Sequence, residues 1–354
     1  MNRKISRLLS LFIIVAMAVT GGAVTAAAGQ PSGASPASGA SPVSKKEVYL
    51  GGMPFGVKFF TDGVMVVGFC DLDGEGNVNP ARDAGLQIKD IITAIGGTPI
   101  GGAADLTAAV EGSNGQAMAL TVKRKTKDGV KEMTVTVIPR FSASENRYKT
   151  GVWVRDSGAG IGTVTYIDPA TNRFGGLGHG ICDGETGELI PMKRGQVCDV
   201  TISGIDKGKV GAPGAIKGYF APGKTGSLIS NTDRGVFGLF ADCPSAAGTL
   251  IPLADKHEVK EGKATIRCTL DNGQMAEYSV TIGRVDARAT GSKCFTVTVT
   301  DPALIAKTGG IVQGMSGSPI VQNGKLIGAV THVLVNDPTQ GYGIFIENML
   351  DAVG

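Results

Sequence analysis

Aromatic residues are scarce in this chain, at 5% of 354 residues with a single tryptophan, and histidine occurs only three times. None of the six cysteines forms a Cys-x-x-Cys pair, and no histidine–cysteine cluster has zinc spacing. No metal and no cofactor is therefore expected. Basic residues form no stripe and do not alternate with aromatics, which argues against nucleic acid as a partner. Long, strongly periodic helical segments are hard to find beyond the first thirty residues. The formal charge of +3 is that of Arg3, Lys4 and Arg7 alone, so the rest of the chain is close to neutral.

Glycine, by contrast, is abundant, at 54 residues without a triplet period, and 42% of the chain is apolar. That combination suits short strands joined by tight turns around a real core. The length allows two ordinary domains.

The chain opens with a basic stretch, an apolar run from Leu8 to Thr20, and small residues ending at Ala26-Ala27-Ala28. Residues 1–28 read as a secretory signal peptide or as an uncleaved membrane anchor. Either way the body is exported, because the positive residues stay inside. Residues 29–46, rich in Pro, Gly, Ser and Ala, form a linker. The cysteines lie in the exported part, where they are either disulfide-bonded or buried as free thiols.

Residues 47–140 read as a small unit of short strands and two short helices. Pro80, Ala81, Ala84-Gly85-Leu86, Lys89-Asp90-Ile91-Ile92 and the Ile95-Gly96-Gly97 turn resemble a PDZ domain of the bacterial protease type. Such a domain adds an extended peptide to a sheet edge. The glycine-rich stretch Gly51-Gly52-Met53-Pro54-Phe55-Gly56, followed by Val57, is the expected peptide loop, with Gly52, Phe55, Gly56 and Val57 as contacts. A plain hairpin turn without ligand is the other reading, since Pro54 removes one amide donor.

Residues 141–354 alternate β-prone runs with glycine turns, which points to an all-β barrel or a pair of barrels. Near their end stands "GIVQGMSGSPIVQNGKLIGAVTHVLVN". Its Gly-x-Ser-Gly-x-Pro core resembles the nucleophile loop of chymotrypsin-fold peptidases. A tight turn there would present the Ser316 hydroxyl, with the amides of Gly314 and Ser316 forming an oxyanion hole. Ser318 is a less favoured alternative. Met315 replaces the usual aspartate before the nucleophile, so activation by a freed N-terminus is not expected. A serine needs a base. His179, among glycines in "FGGLGHGICD", is the candidate. His257 reads as a solvated loop residue, and His332 as either a packed residue or part of the substrate cleft. "TGGIVQ" offers no acid to a specificity pocket, which favours small or aliphatic substrate residues.

"FGGLGHGICD", "GMSGSPI", "GAVTHVLVN" and the preceding PDZ-like unit together resemble the SpoIVB peptidase family. The PDZ-first order separates the chain from HtrA-type quality-control proteases, the alternative reading beside a non-enzymatic PDZ scaffold. The resemblance implies a mainly β fold, a PDZ domain followed by a chymotrypsin-like double β-barrel. It further implies a serine endopeptidase at the forespore membrane, facing the space between forespore and mother cell. That enzyme would cleave itself and a membrane-bound inhibitor of a site-2 type protease, leading to activation of a late sigma factor. Its PDZ would act in cis or on the C-terminal tails of targets. The implied triad is His179, Asp301 and Ser316. Among nine aspartates between base and nucleophile, pattern alone does not choose. Asp301 ends a β-prone run before Pro302 and could equally be a turn residue, and Asp242 is the next candidate.

Overall fold

The computed structural model describes residues 47–72, 78–244, 248–270 and 273–353. The signal or anchor segment and the linker expected over 1–46 lie outside the described residues.

Two barrels of six antiparallel strands dominate. The first is built from β1 (Pro54–Phe69), β2 (Val152–Ile167), β3 (Arg173–Gly176), β4 (Met192–Cys198), β5 (Gly226–Thr232) and β6 (Gly235–Phe240). Their pairings run β1-β2-β3-β6-β5-β4 and return to β1. The second contains β7 (Gly262–Thr269), β8 (Met275–Gly283), β9 (Phe295–Val299), β10 (Pro319–Gln322), β11 (Lys325–Leu334) and β12 (Asp337–Phe345). Its order is β7-β8-β9-β12-β11-β10, closed on β7. The two rings thus share one topology, strand for strand. This is the double barrel expected from the turn-rich sequence.

Period-two alternation makes these strands. In β1, Phe55, Val57 and Phe59 point inward while Lys58 and Phe60 are exposed. The inward set meets Phe174, Val197, Leu228 and Phe240 in the first core, where Phe55 and Phe174 sit edge to face at 5.5 Å. The second core gathers Ile266, Val280, Val297, Val330 and Phe345.

The PDZ-like unit does not precede the peptidase; it interrupts it. Only the first half of β1 and the second half of β2 belong to the barrel wall. Past a register shift after Phe60, Val64–Phe69 leaves the barrel and pairs with Ile91–Ile95, which pairs with Met118–Thr126 and then Gly129–Val137. This sheet and the helix Ala103–Gly112 enclose a third core of Val64, Val66, Ile92, Leu106, Val110 and Leu120. The chain re-enters the barrel along β2. A boundary at 140/141 therefore does not divide the fold.

The expected peptide loop is corrected by the same pairing. Phe55 and Val57 are core residues of the first barrel, and a Cβ on Gly56 would stand 2.4 Å from the Phe220 ring. Gly52 is pressed against Arg267 of the second barrel. The apolar–glycine alternation that suggested a groove serves a closed barrel wall instead. The open sheet edge lies at the start of β2. There Val152–Arg155 pairs with β1 on one side, and no strand among the described residues pairs with the other. Across a cleft of about 250 Å³ stand Leu106, Thr107 and Val110 of the helix Ala103–Gly112. Asp156, where β2 crosses into the barrel, accepts the Ala103 amide at 2.8 Å and so caps that helix from outside.

The cysteines are all free thiols. Burial pushes the Cys268 thiol up to about 12, which makes it inert rather than reactive.

Candidate active site

β3 of the first barrel, Arg173–Gly176, leads into Leu177-Gly178-His179. Leu177 and Gly178 both take positive φ, at 64° and 68°, which turns the chain sharply toward the second barrel. A Cβ on Gly178 would meet Thr331 Cγ2 at 2.9 Å and Ile344 Cγ2 at 3.0 Å. The turn is thus seated on β11 and β12. The His179 Nδ1 lies 2.9 Å from the Gly180 carbonyl oxygen. A carbonyl only accepts, so Nδ1 carries the proton and Nε2 keeps its lone pair, the form a general base needs. Burial holds the His179 pKa below its ordinary value, and the Gly180 carbonyl opposes that shift.

The loop after His179 is clamped twice. Asn231, at the end of β5, accepts from the Ile181 amide at 2.8 Å and donates to the carbonyls of Ile181 and Ile190. On the PDZ side, fully buried Asp183 pairs with Arg155 at 3.0 Å, and Glu188 with Lys89 and Lys125.

The nucleophile loop follows the helix Pro302–Thr308. Gln313 is held by Gly214 and Ile216, and Met315 is completely buried. The carbonyls of Gly314, Ser316 and Gly317 are then taken by β2. Thr163 donates its hydroxyl to Gly314 O at 2.8 Å and its amide to Ser316 O at 3.0 Å, and the Thr165 hydroxyl donates to Gly317 O at 2.7 Å. The amides of Met315, Gly317 and Ser318 bond to Val312, Val330 and Met315. Those of Gly314 and Ser316 bond to no group among the described residues. Two unpaired donors, one on the serine and one two residues before it, are what an oxyanion needs. The Ser316 hydroxyl donates to the Thr331 carbonyl at 2.7 Å. The next residue, His332, lies with its ring 4.9 Å from that of His179. The fold therefore gathers Ser316, Gly314 and His179 at the seam between the barrels, together with His332. Ser318 is fully buried and His257 is exposed on a surface turn.

Asp301 is not among them. It is the N-cap of the helix Pro302–Thr308, with Oδ1 accepting from Ala303 and Leu304 amides and Oδ2 from the Ser279 amide. These bonds hold its carboxyl below the usual range despite some desolvation. Its carboxylate is committed to a helix terminus, and His179 bonds to a carbonyl instead. Asp242 is exposed just past β6. Asp301→Ala is expected to cost about 1 kcal/mol of stability in denaturant unfolding, whereas Asp301→Asn, an equally good cap, should cost little.

Thr163, Thr165, Asn231 and Thr331 were not visible as site residues. Thr163 and Thr165 alternate in "TVTYI" and so share a face, but the loop they hold is about 150 positions away.

A family model described as SpoIVB peptidase S55 matches residues 146–350, and one described as a PDZ domain matches residues 79–124, inside the insertion. No curated protein matches the chain significantly. Among solved structures, Rv3671c from M. tuberculosis H37Rv, a serine-to-alanine mutant in an inactive form, is similar at 12% identity. That likeness covers 55% of this chain and 82% of the other, with a TM-score of 0.31. The peptidase match spans more than half of the sequence and encloses both His179 and Ser316. By that match the chain belongs to the SpoIVB peptidase S55 family and is a serine peptidase carrying a PDZ domain.

Proposed function

We propose that Ser316 is the nucleophile, His179 its general base, and the amides of Gly314 and Ser316 the oxyanion hole of an endopeptidase. One observation carries this reading. Around a serine whose own carbonyl and whose neighbours' carbonyls are fixed by β2, the amides of Gly314 and Ser316 bond to no group among the described residues. Attack by Oγ on a substrate carbonyl sends the hydroxyl proton to His179 Nε2, and the new oxyanion takes both amides. His179 then returns the proton to the leaving amine. The hydroxyl donates to the Thr331 carbonyl, so transfer of its proton to His179 requires it to turn from that carbonyl toward the imidazole.

The biological setting we infer is the one the family resemblance implies, supported by the export signal expected over residues 1–28. The enzyme works at the forespore membrane, cleaves itself, and cuts a membrane-bound inhibitor of a site-2 type protease, leading to activation of a late sigma factor. Its PDZ groove lies between Val152–Arg155 and the helix Ala103–Gly112 and takes an extended peptide, in cis or from a target tail. A signalling role predicts cleavage at one or two sites; general degradation of unfolded casein would favour the quality-control alternative.

The base gives a direct test. Catalysis needs neutral His179, and its pKa lies below 6.5 because burial disfavours the charged form. Activity should therefore persist as pH falls past 6.5 and be lost only below it. The measurement is the rate of fluorophosphonate labelling against pH. A midpoint well above 6.5 would contradict a buried imidazole base.

A further inference from the structure

Between β4 and β5 the first barrel sends out a hairpin, Val200–Asp206 paired with Ala215–Phe220, that belongs to neither ring. Its foot rests on the barrel it leaves. A Cβ on Gly56 would meet the Phe220 ring, and the Lys58 ammonium lies 5.0 Å from the centre of that ring. Its far end rests on the second barrel. The Gly208 amide donates to Thr308 O, and the Gly211 amide to Val335 O, each at 2.8 Å. Between these supports the hairpin meets the nucleophile loop, main chain to main chain. The Ile216 amide donates to Gln313 O and the Gln313 amide to Gly214 O, both at 2.8 Å, so Ala215 and Gln313 form a parallel bridge.

The two oxyanion donors are aimed in different ways. Every peptide bond among the described residues is trans, so each N–H points opposite to the carbonyl of the residue before it. The Ser316 amide is aimed by Met315 O, which accepts from the Ser318 amide within the loop itself. The Gly314 amide is aimed by Gln313 O, and that oxygen is taken by Ile216 of the hairpin. The buried Ile216 side chain backs the same spot: its Cβ lies 3.0 Å from where a Cβ of Gly314 would stand. Gly314 has φ +98°, a region that glycine enters freely. The loop supplies no other bond to the 313–314 peptide among the described residues. If that plane turned over, the Gln313 oxygen would take the place of the amide. A lone pair, not a donor, would then face the developing oxyanion.

We infer that this hairpin sets the oxyanion hole, with Ile216 as its positioning residue; the inference rests on the assignment of Ser316, Gly314 and His179 above. Ile216 touches no reacting atom and moves no proton. Its amide selects which face of one peptide unit is turned toward the substrate carbonyl. With the Ile216–Gln313 bond made, the Gly314 amide faces the hole. With it broken, the enzyme's own carbonyl can close the hole while nucleophile and base stay where they are. One main-chain hydrogen bond biases the two faces by about tenfold. Outright loss of an oxyanion donor costs about 10²–10³-fold in rate. The hairpin therefore governs turnover between those two limits, from a segment carried by the opposite barrel.

The test uses the full chain and a fluorophosphonate, whose phosphoryl oxygen enters the same hole. Labelling is followed against probe concentration, which separates the maximal rate from the half-saturating concentration. Incorporating the α-hydroxy acid of isoleucine at position 216 turns one amide into an ester. It removes the N–H and leaves the side chain whole. The maximal rate should fall at least about tenfold. The half-saturating concentration and the pH midpoint set by His179 should not move. Gly214→Ala is the second variant, should the ester fail to fold. A Cβ there would lie 2.2 Å from Asp206 O and 2.4 Å from Gly208 N, so the Gly214 carbonyl is driven off the Gln313 amide and the maximal rate should fall likewise. Tyr219→Ala, an exposed residue of the same hairpin, should label like wild type. An ester chain that labels at the wild-type maximal rate would overturn the inference. So would a change confined to the half-saturating concentration, which would make the hairpin a binding surface instead. A wild-type chain that never labels would sink the nucleophile assignment itself, and this inference with it.

Discussion

Ser316→Ala is expected to lower peptide hydrolysis on the order of 10⁶-fold while leaving the fold intact. The hydroxyl makes one hydrogen bond, to the Thr331 carbonyl, and its net contribution is about 1 kcal/mol. The unfolding midpoint should therefore hardly move. Hydrolysis should not reach the uncatalysed rate, because the Gly314 and Ser316 amides remain and can still polarise a bound carbonyl. Fluorophosphonate labelling should vanish altogether, since the bond it forms is to Oγ. The matching control is Ser318→Ala. Ser318 has no exposed surface, so its loss should leave labelling in place. If Ser318→Ala is the silent variant and Ser316→Ala still reacts, the nucleophile lies two residues further on.

Gly317→Ala should have the next largest effect without touching a reacting atom. Gly317 has φ +94°, and a Cβ there would lie 2.0 Å from the Thr163 oxygen and 2.4 Å from the Leu177 nitrogen. Both obstacles are main chain, so no side chain can swing away. The backbone must shift, at a cost of about 1–3 kcal/mol for the strained conformation before the overlap is added. Any shift loosens the Gly317 amide from Val330 and moves the neighbouring Ser316 amide. Loss of one oxyanion donor lowers kcat about 10²–10³-fold, and here the whole turn moves. We expect at least that fall, with a lower unfolding midpoint. Gly160→Ala is the control. Gly160 lies on the same strand as Thr163, and a Cβ there would meet nothing within 4 Å. If Gly317→Ala retains full activity, the loop is softer than its hydrogen bonds indicate.

The geometry of the proposed site was legible where it is local. "GMSGSPI" contains the proposed nucleophile, the two unpaired amides and the glycine whose missing Cβ lets the loop touch β2. The four residues of "GLGH" contain the turn that carries the proposed base. What failed was what depends on partners. Asp301-Pro302 followed by Gly309-Gly310 is a helix start and stop written in the sequence, Asp at the N-cap, Pro at the first turn and Gly at the end. The stretch from Gly51 to Val57 failed for another reason. Period-two alternation says that a strand has two faces, not which sheet it joins. Residues of the PDZ motif were placed correctly all the same: Asp90 is buried in a fork with Arg124, which its motif position alone does not explain.

The interrupted first barrel changes how this enzyme can be taken apart. Cutting the gene at codon 141 to obtain the catalytic half would remove a stave from the cask, and the remaining staves could not close around Phe174 and Phe240. The clean excision is internal. The Thr61 hydroxyl already donates to the Asp156 carbonyl at 3.0 Å, so the two ends of the insert nearly touch. A short turn joining them should yield a minimal protease whose barrel is whole and whose base loop has lost its ties to Arg155, Lys89 and Lys125.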